Sequence, residues 1–271
     1  MRKRSFAFIV LTAAAVIVMS VAAAGPQSGA KPTLKRGLVA YWSCDEGAGA
    51  TVYDPIAGNN GTISGATFDT PGPARTSTHS LHFDGDDYVA VPDAPSLDLA
   101  GPMTISFWVK PESPAYGVSQ TIITKNSVTW YGTTNYQLAW DNVVGGDGTP
   151  GNGGAWFFDS GQNCLYGKGA TTGSNLFPGA PNLTIGAWNH LAVTYDGTIL
   201  SLYHNGIKIG ECNLVSDVGG LLPNDAPLYF GKLVHPGPCY YPDSFTGNID
   251  EVRFYSRCLT PREIGRLAGG R

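Results

Sequence analysis

Residues 188–210 read WNHLAVTYDGTILSLYHNGIKIG, and no other stretch constrains the fold as tightly. Asp196-Gly197 and Asn205-Gly206 supply backbone that tolerates positive φ, which the tight turns of hairpins require. Between them, Ile199 to Tyr203 is rich in β-branched and aromatic residues and too short for a useful helix. Beyond them Ile207 and Ile209 alternate with Lys208 and Gly210, a strand with one wet face. The pattern predicts three antiparallel strands in a meander. A meander with one apolar face must bury it, so a second sheet is expected to cover it and the fold class is an all-β sandwich. The 36 Gly and 19 Pro, with few charges, match a turn-rich all-β chain.

Other segments extend this reading. Gly37 to Gly49 is GLVAYWSCDEGAG, Leu81 to Leu97 is LHFDGDDYVAVPDAPSL, and Met103 to Pro111 is MTISFWVKP. Leu228 to Lys232 (LYFGK) and Phe245 to Arg257 (FTGNIDEVRFYSR) complete the set. In order and spacing these segments, with the hairpins, resemble the laminin-G-like domains of the concanavalin A-like lectin/glucanase superfamily. The resemblance implies an antiparallel two-sheet jelly-roll β-sandwich over residues 37–268, its strands running from about Leu38 to Tyr255. It says little of function, because sandwiches of this kind host lectins, enzymes, adhesins and spacers. No internal repeat is visible.

Arg2, Lys3 and Arg4 precede an apolar run from Phe6 to about Val21, and Ala22-Ala23-Ala24 offers small residues for cleavage before Gly25. Residues 1–24 are therefore expected to be a secretory signal peptide, and the apolar run is short for a spanning helix. The mature protein is expected to be secreted or extracytoplasmic, in a periplasm or on a cell surface, with no membrane insertion after cleavage. Its formal charge is 14 − 21 = −7, the 17 Lys+Arg of the whole chain less the three in the signal, against 21 Asp+Glu. An acidic chain without clustered Lys and Arg excludes nucleic acid as the expected partner. Residues 25–36 (GPQSGAKPTLKR) read as a flexible linker.

Cys44, Cys164, Cys212, Cys239 and Cys258 make an odd set, so at least one thiol is unpaired or bonded between chains. Cys44 shares strand parity with Leu38, Ala40 and Trp42 and is expected in the core. Cys164 and Cys239 lie in long Gly/Pro-rich loops; Cys164–Cys239 is the first expected disulfide and Cys212–Cys239 the alternative. The stretch from about Asp141 to Asn182 is a long Gly-rich insertion with one apolar patch, Trp156-Phe157-Phe158. At the other end, Thr260-Pro261-Arg262-Glu263 is a capping box with Pro at the first helical position. It predicts a short C-terminal helix through Leu267, with Ile264 and Leu267 on one face.

The chemistry is marked first by absences. The superfamily's glucanases use carboxylates paired on one strand face, and the five glutamates here (Glu46, Glu112, Glu211, Glu251, Glu263) form no such array. No Gly-x-Ser-x-Gly, His-Glu-x-x-His or phosphate loop is present. His79, His82, His190, His204 and His235 show no metal spacing, although His190 and His204 are able to face each other across a hairpin. A non-catalytic protein is expected, with a polysaccharide-active enzyme as the minor alternative.

A calcium site is the best constellation. Asp45-Glu46-Gly47 ends the first strand and Asp250-Glu251 lies in the last, and the jelly-roll resemblance makes these strands neighbours. Calcium takes six to eight hard oxygens, so Asp45, Gly47 and Asp250 are the candidate ligands of a structural ion; solvated turn residues are the alternative. Asp84-Gly85-Asp86-Asp87 is a second candidate, or a polar hairpin turn before the strand Tyr88–Val91. Aromatics are the other signal. Trp42, Trp108 and Trp188 sit inside strand motifs and are expected in the core. Trp130, Tyr136, Trp140 and Tyr241 lie beside polar residues and loops, where rings either stack on sugar faces while amides bind hydroxyls, or pack loops onto the sandwich. Two function classes follow: a carbohydrate- or glycoprotein-binding module, or a structural and adhesive surface domain that binds proteins.

Overall fold

The computed structural model describes residues 33–73, 77–112, 119–126, 134–141, 155–159, 183–213, 221–232 and 243–269. The strands, in chain order, are β1 (Leu38–Trp42), β2 (Thr51–Val52), β3 (Gly61–Ser64), β4 (Thr67–Asp69), β5 (Ser80–Asp84), β6 (Tyr88–Val91), β7 (Met103–Pro111) and β8 (Ser119–Asn126). They continue as β9 (Thr134–Asp141), β10 (Ala155–Asp159), β11 (Asn189–Tyr195), β12 (Ile199–His204), β13 (Ile207–Asn213), β14 (Leu228–Phe230), β15 (Asp243–Ser244) and β16 (Thr246–Tyr255), with one helix, α1 (Pro261–Ala268), after them. Sheet A runs β13-β12-β11-β7-β16-β5-β4 with β1 also on β16; sheet B runs β10-β9-β8-β14-β6-β3-β2 with β15 on β8. All pairings are antiparallel except the short β15–β8 contact. This is the expected jelly-roll sandwich, first and last strands adjacent. Among the described residues, no helix is long and apolar enough to cross a membrane.

Period-two alternation builds the core. On β7, Met103, Ile105, Phe107 and Val109 turn inward, and on β11 Leu191, Val193 and Tyr195 do the same. Sheet B answers with Val89, Val91, Leu138, Leu228 and Phe230. Trp42 anchors the middle, edge-on to Phe230 and Phe254 at 5.2 and 5.6 Å between ring centroids. Its indole N–H donates to the Asn59 carbonyl at 2.8 Å, so its one polar atom is satisfied in the dry interior. Cys44 is buried in this core, as its parity predicts.

The turns behave as their residues dictate. Asn205 and Gly206 sit at φ of 50° and 81°, the conformation a two-residue hairpin needs between β12 and β13. Asp196 Oδ1 accepts from the N–H groups of Thr198 and Ile199 at 2.8 and 2.7 Å and closes the turn between β11 and β12. In α1, the Thr260 side chain accepts from Glu263 N at 3.3 Å and Glu263 Oε2 accepts from Thr260 N at 2.9 Å. Arg257 holds Glu263 from outside, and that ion pair lowers the Glu263 carboxyl to about 2. Ile264 and Leu267 pack with Ala192, Tyr203, Tyr255 and Leu259, so α1 covers one end of the outward face of sheet A.

Three expectations are corrected here. Residues 33–36 are not flexible linker: Arg36 N donates to Thr33 O, and Leu34 packs beside the helix cluster, because its apolar side chain finds cover there. Trp156-Phe157-Phe158 is not loop but part of β10, paired with β9 from Asp141 to Gln137. Asp84 to Asp87 is not a hairpin turn, since β5 belongs to sheet A and β6 to sheet B; the segment is a corner that carries the chain between sheets.

Candidate functional site

The acidic cluster arises from a change of neighbours along β16. One edge of β16 follows β7 throughout. The other edge pairs with β5 over Thr246–Ile249 and with β1 over Val252–Tyr255. Asp250 and Glu251 fall in the gap, at a register shift against β7, and Glu251 takes φ of 55°. Ladder pairing cannot satisfy polar groups there, so side chains and loops converge. Cys44 and Gly47, just past the end of β1, also have positive φ, 55° and 69°.

Asp45 and Asp250 meet the same short segment before β5. Asp45 Oδ1 accepts from Thr78 N (2.6 Å), Thr78 Oγ1 (3.1 Å) and His79 N (3.0 Å). Asp250 is fully buried; its Oδ2 lies 2.5 Å from Ser77 Oγ, and its Oδ1 accepts from Glu251 N at 2.8 Å. Burial first, then the negative charges of Glu251 and Asp45, push the Asp250 carboxyl up to about 8. Ser77 Oγ is also 3.0 Å from the His79 carbonyl. One hydroxyl proton cannot serve two acceptors, so a proton on Asp250 completes this chain. Gly72 and Gly47 press the cluster closed: a Cβ on Gly72 would stand 1.7 Å from Ser77 Oγ, and one on Gly47 would stand 2.9 Å from the His79 ring.

Oxygen donors of the types a hard cation takes line this segment. Glu46 gives Oε1 to Tyr53 N at 2.9 Å, while its Oε2 is buried without a hydrogen-bond partner. The nearby guanidinium, Arg253, is engaged with Glu251 rather than with Asp250. Asp45 and Asp250 therefore both meet the 77–79 segment with no protein cation paired to Asp250, while Glu46 Oε1 serves Tyr53 N. That is the donor chemistry of calcium. The structure thus sets the predicted Asp45 and Asp250 against one short segment, with Gly47 beside the His79 ring, and adds Ser77 and His79, which lie on a loop between strands and carry no motif. Among the described residues, the one group of three acidic side chains with ligand atoms within 4.8 Å of one another is Asp84, Asp86 and Asp87, where Asp87 Oδ2 accepts from Asp84 N at 3.0 Å and so caps the corner itself.

The predicted sugar-stacking residues divide. Tyr136 and Trp140 are buried, 0% and 1% exposed, and belong to the core, which corrects the stacking expectation for both. The reason is parity: they flank Leu138 on the inward side of β9, and Tyr136 lies edge-on to Phe254 at 5.6 Å. Trp130 and Tyr241 lie outside the described residues, as do Cys164 and Cys239; Cys212 is on β13, its side chain not among those described. Trp108 and Trp188, expected in the core, are instead half-buried on the outward face of sheet A. There Trp108 lies edge-on to His190 at 5.2 Å, and Lys110 Nζ sits 5.9 Å from the Trp188 ring centroid.

His190 and His204 do not form a proton-transfer pair. His190 Nε2 is 2.9 Å from Ser106 Oγ and His204 Nε2 is 3.0 Å from Asn189 Oδ1. Burial, with Arg253 and His204 adding to it, pushes His190 down to about 3, so the ring is neutral. Sequence parity placed both on strands; it carried no signal for these partners.

Residues 83–265 match the family model described as the concanavalin A-like lectin/glucanases superfamily. No curated protein matches the chain. Among solved structures, domain 4 of AbnA, an extracellular arabinanase of Geobacillus stearothermophilus solved with arabinotriose, is similar at 20% identity and TM-score 0.57, over 85% of this chain and 98% of that one. Trypanosoma rangeli sialidase in complex with sialic acid is similar at 16% identity and TM-score 0.59, over 86% of this chain and 32% of the sialidase. The binding domain of Paraclostridial Mosquitocidal Protein 1 aligns at 16% identity and TM-score 0.52, over 86% of this chain and 52% of that one. This chain thus spans about a third of the sialidase and about half of the toxin domain. At these identities the likeness is one of fold.

Proposed function

This chain belongs to the concanavalin A-like lectin/glucanase superfamily, and on that premise we propose that it is a secreted, non-catalytic carbohydrate-binding module stiffened by one calcium ion. The observation that carries the carbohydrate reading is the match to 98% of an arabinanase domain solved with an oligosaccharide. A whole domain shared at full length supports a shared kind of role more than a fragment of a larger enzyme does. Asp45, Gly47 and Asp250 hold the ion, helped by Glu46 and Ser77. When bound, calcium supplies the positive charge that the buried Asp250 lacks and ties the end of β1 to β16.

The non-catalytic part rests on how the carboxylates are used. Glycoside hydrolysis needs two carboxyl groups flanking one bond. Asp250 is buried, and Glu251 accepts from Tyr41 Oη at 2.9 Å and pairs with Arg253. Neither is poised to meet a substrate.

The test is a glycan array probed with the full chain in calcium and in chelator, beside melting curves in both. Glycan binding with a calcium-dependent rise in melting temperature is the expected result. A ligand bound only by the native state adds about 2.7 kcal/mol at a hundredfold excess over its dissociation constant, which is roughly 5–10 °C for a domain of this size. Asp250→Asn should remove that rise. Identical melting curves in calcium and chelator would discard the ion, and binding to protein partners alone would discard the carbohydrate reading.

A further inference from the structure

We infer that Asn60, at the end of the loop between β2 and β3, is the acceptor of an N-linked oligosaccharide that shields the apolar side chains of that loop; this rests on the secretion reading and not on sugar binding. Asn60-Gly61-Thr62 has the Asn-x-Ser/Thr pattern of such acceptors in secreted chains. The fold presents the pattern at the surface. Buried Asp54 shapes the loop from within: its Oδ1 accepts from Ile56 N at 2.9 Å and its Oδ2 from Asn59 N at 3.2 Å and Asn59 Nδ2 at 2.9 Å. Asn60 closes the loop, its Oδ1 accepting from Asp54 N at 3.0 Å. The residue is exposed. Its planar amide sets Nδ2, the atom that carries a glycan, on the other side of Cγ from the held oxygen, and among the described residues none accepts from Nδ2.

The next two positions keep the pattern open. A Cβ on Gly61 would stand 2.5 Å from Val89 Cγ1 and 2.9 Å from Val52 Cγ2, so packing of β3 against its neighbours holds glycine in the middle position. Thr62 follows on the exposed side of β3, opposite Thr51 and Ala90, where its hydroxyl faces outward. The same loop supplies an independent observation. Tyr53 and Ile56 are 57% and 46% exposed, large apolar side chains left in water on either side of Asp54, the residue that holds Asn60. An oligosaccharide rooted on Asn60 brings C–H faces to the Tyr53 ring and turns hydroxyls to solvent, which removes apolar surface from water without a protein partner.

The transfer needs one co-reactant, an oligosaccharide joined through C1 to an isoprenoid pyrophosphate. Nδ2 forms a bond to C1, the bond from C1 to the pyrophosphate oxygen breaks, and that oxygen leaves with the electron pair while Nδ2 gives up one of its two protons. Oδ1 takes no part, so the hydrogen bond from Asp54 N survives and the loop keeps its shape. Asn182-Leu183-Thr184 has the same pattern, but Asn182 lies outside the described residues.

The full chain, made with its own leader in cultured animal cells, is collected from the medium and mapped peptide by peptide, which separates Asn60 from Asn182. The Asn60 peptide should carry a glycan, and release by a glycopeptide amidase in heavy-oxygen water should leave a heavy-oxygen carboxylate at position 60, which earlier deamidation cannot mimic. Thr62→Ala should abolish the modification and Thr62→Ser should keep it, both at an exposed side chain that folding does not depend on. Asn60→Gln should abolish it as well. Release of the glycan from folded protein should raise the binding of an apolar fluorescent dye, and Tyr53→Ser should cancel that rise; equal dye binding before and after release would overturn the shielding role. A secreted wild-type chain with Asn60 unmodified would overturn the inference and leave the secretion reading standing. A chain retained in the cell would overturn secretion instead, and the same chain behind an established secretory leader then reads Asn60 by itself.

Discussion

Protonating His190 should unfold the domain, and the size of the effect follows from its surroundings. The ring is buried on sheet A between Trp108 and Ser106, with Arg253 on β16 and His204 on β12 contributing like charge when they and it are protonated. Its folded value of about 3 lies below the ordinary 6.5. A depressed value means that the unfolded chain takes the proton first. Stability from this group is therefore fully present above pH 6.5 and is lost as pH falls through the window down to about 3. The slope is about 1.4 kcal/mol per pH unit, so roughly 3 kcal/mol is lost by pH 4.5. Glu263 acts lower, between 4.5 and about 2, and so stays out of the way. Asp250, raised to about 8, works in the opposite direction in metal-free protein: its stability is present at low pH and lost as pH rises. The informative quantity is thus the difference between wild type and His190→Gln, in which Asp250 cancels. Gln keeps a partner for Ser106 and cannot titrate. Guanidinium unfolding in chelator at half-unit steps from pH 8 to 4.5 should show the variant less stable by about 1 kcal/mol at pH 8. The two curves should cross on the way down, leaving the variant more stable by about 2 kcal/mol at pH 4.5. A difference that stays constant over that range would refute the assignment of a buried, neutral His190.

Three further outcomes are expected. Lys125→Met removes a fully buried ammonium held by Asp93 Oδ1 at 2.6 Å and Asp98 Oδ1 at 3.0 Å, and should cost about 1–3 kcal/mol in chemical denaturation, since both carboxylates lose their partner while staying partly in water. Thr260→Ala takes away the cap of α1 and should cost about 1 kcal/mol, read as a fall of roughly 2–4 °C in melting temperature. Purified protein should release no product from β-glucans, alginate, galactans or chitin; turnover that survives repurification and disappears on changing a single Asp would show that a catalytic pair exists.

Local chemistry wrote much of this fold in the sequence. Asn205-Gly206 can make its turn without any neighbour, because the positive φ values are a property of those two residues. The cap of α1 is equally local: Thr260 and Glu263 satisfy each other's backbone within one turn. Period-two alternation even held the correct side for the four disputed rings. Trp108 and Trp188 share parity with Ser106, Lys110 and His190, whereas Tyr136 and Trp140 share it with Leu138. Ring size favours the core and polar neighbours favour exposure, and strand parity outweighs both.

What only the tertiary structure decided is which strands adjoin where. Asp45 and Asp250 are 205 residues apart in sequence, and their convergence depends on β1 and β5 sharing one edge of β16. Ser77 and His79 join them because the loop before β5 crosses that junction, and no spacing rule in the chain encodes such a crossing. Burial of Lys125 is likewise invisible in its own strand, since the carboxylates that make it tolerable come from residues 93 and 98. Alternation tells that a strand has two faces; the partners brought by the fold decide what each face meets, and so whether a carboxylate there is solvated, protonated or ready for a cation.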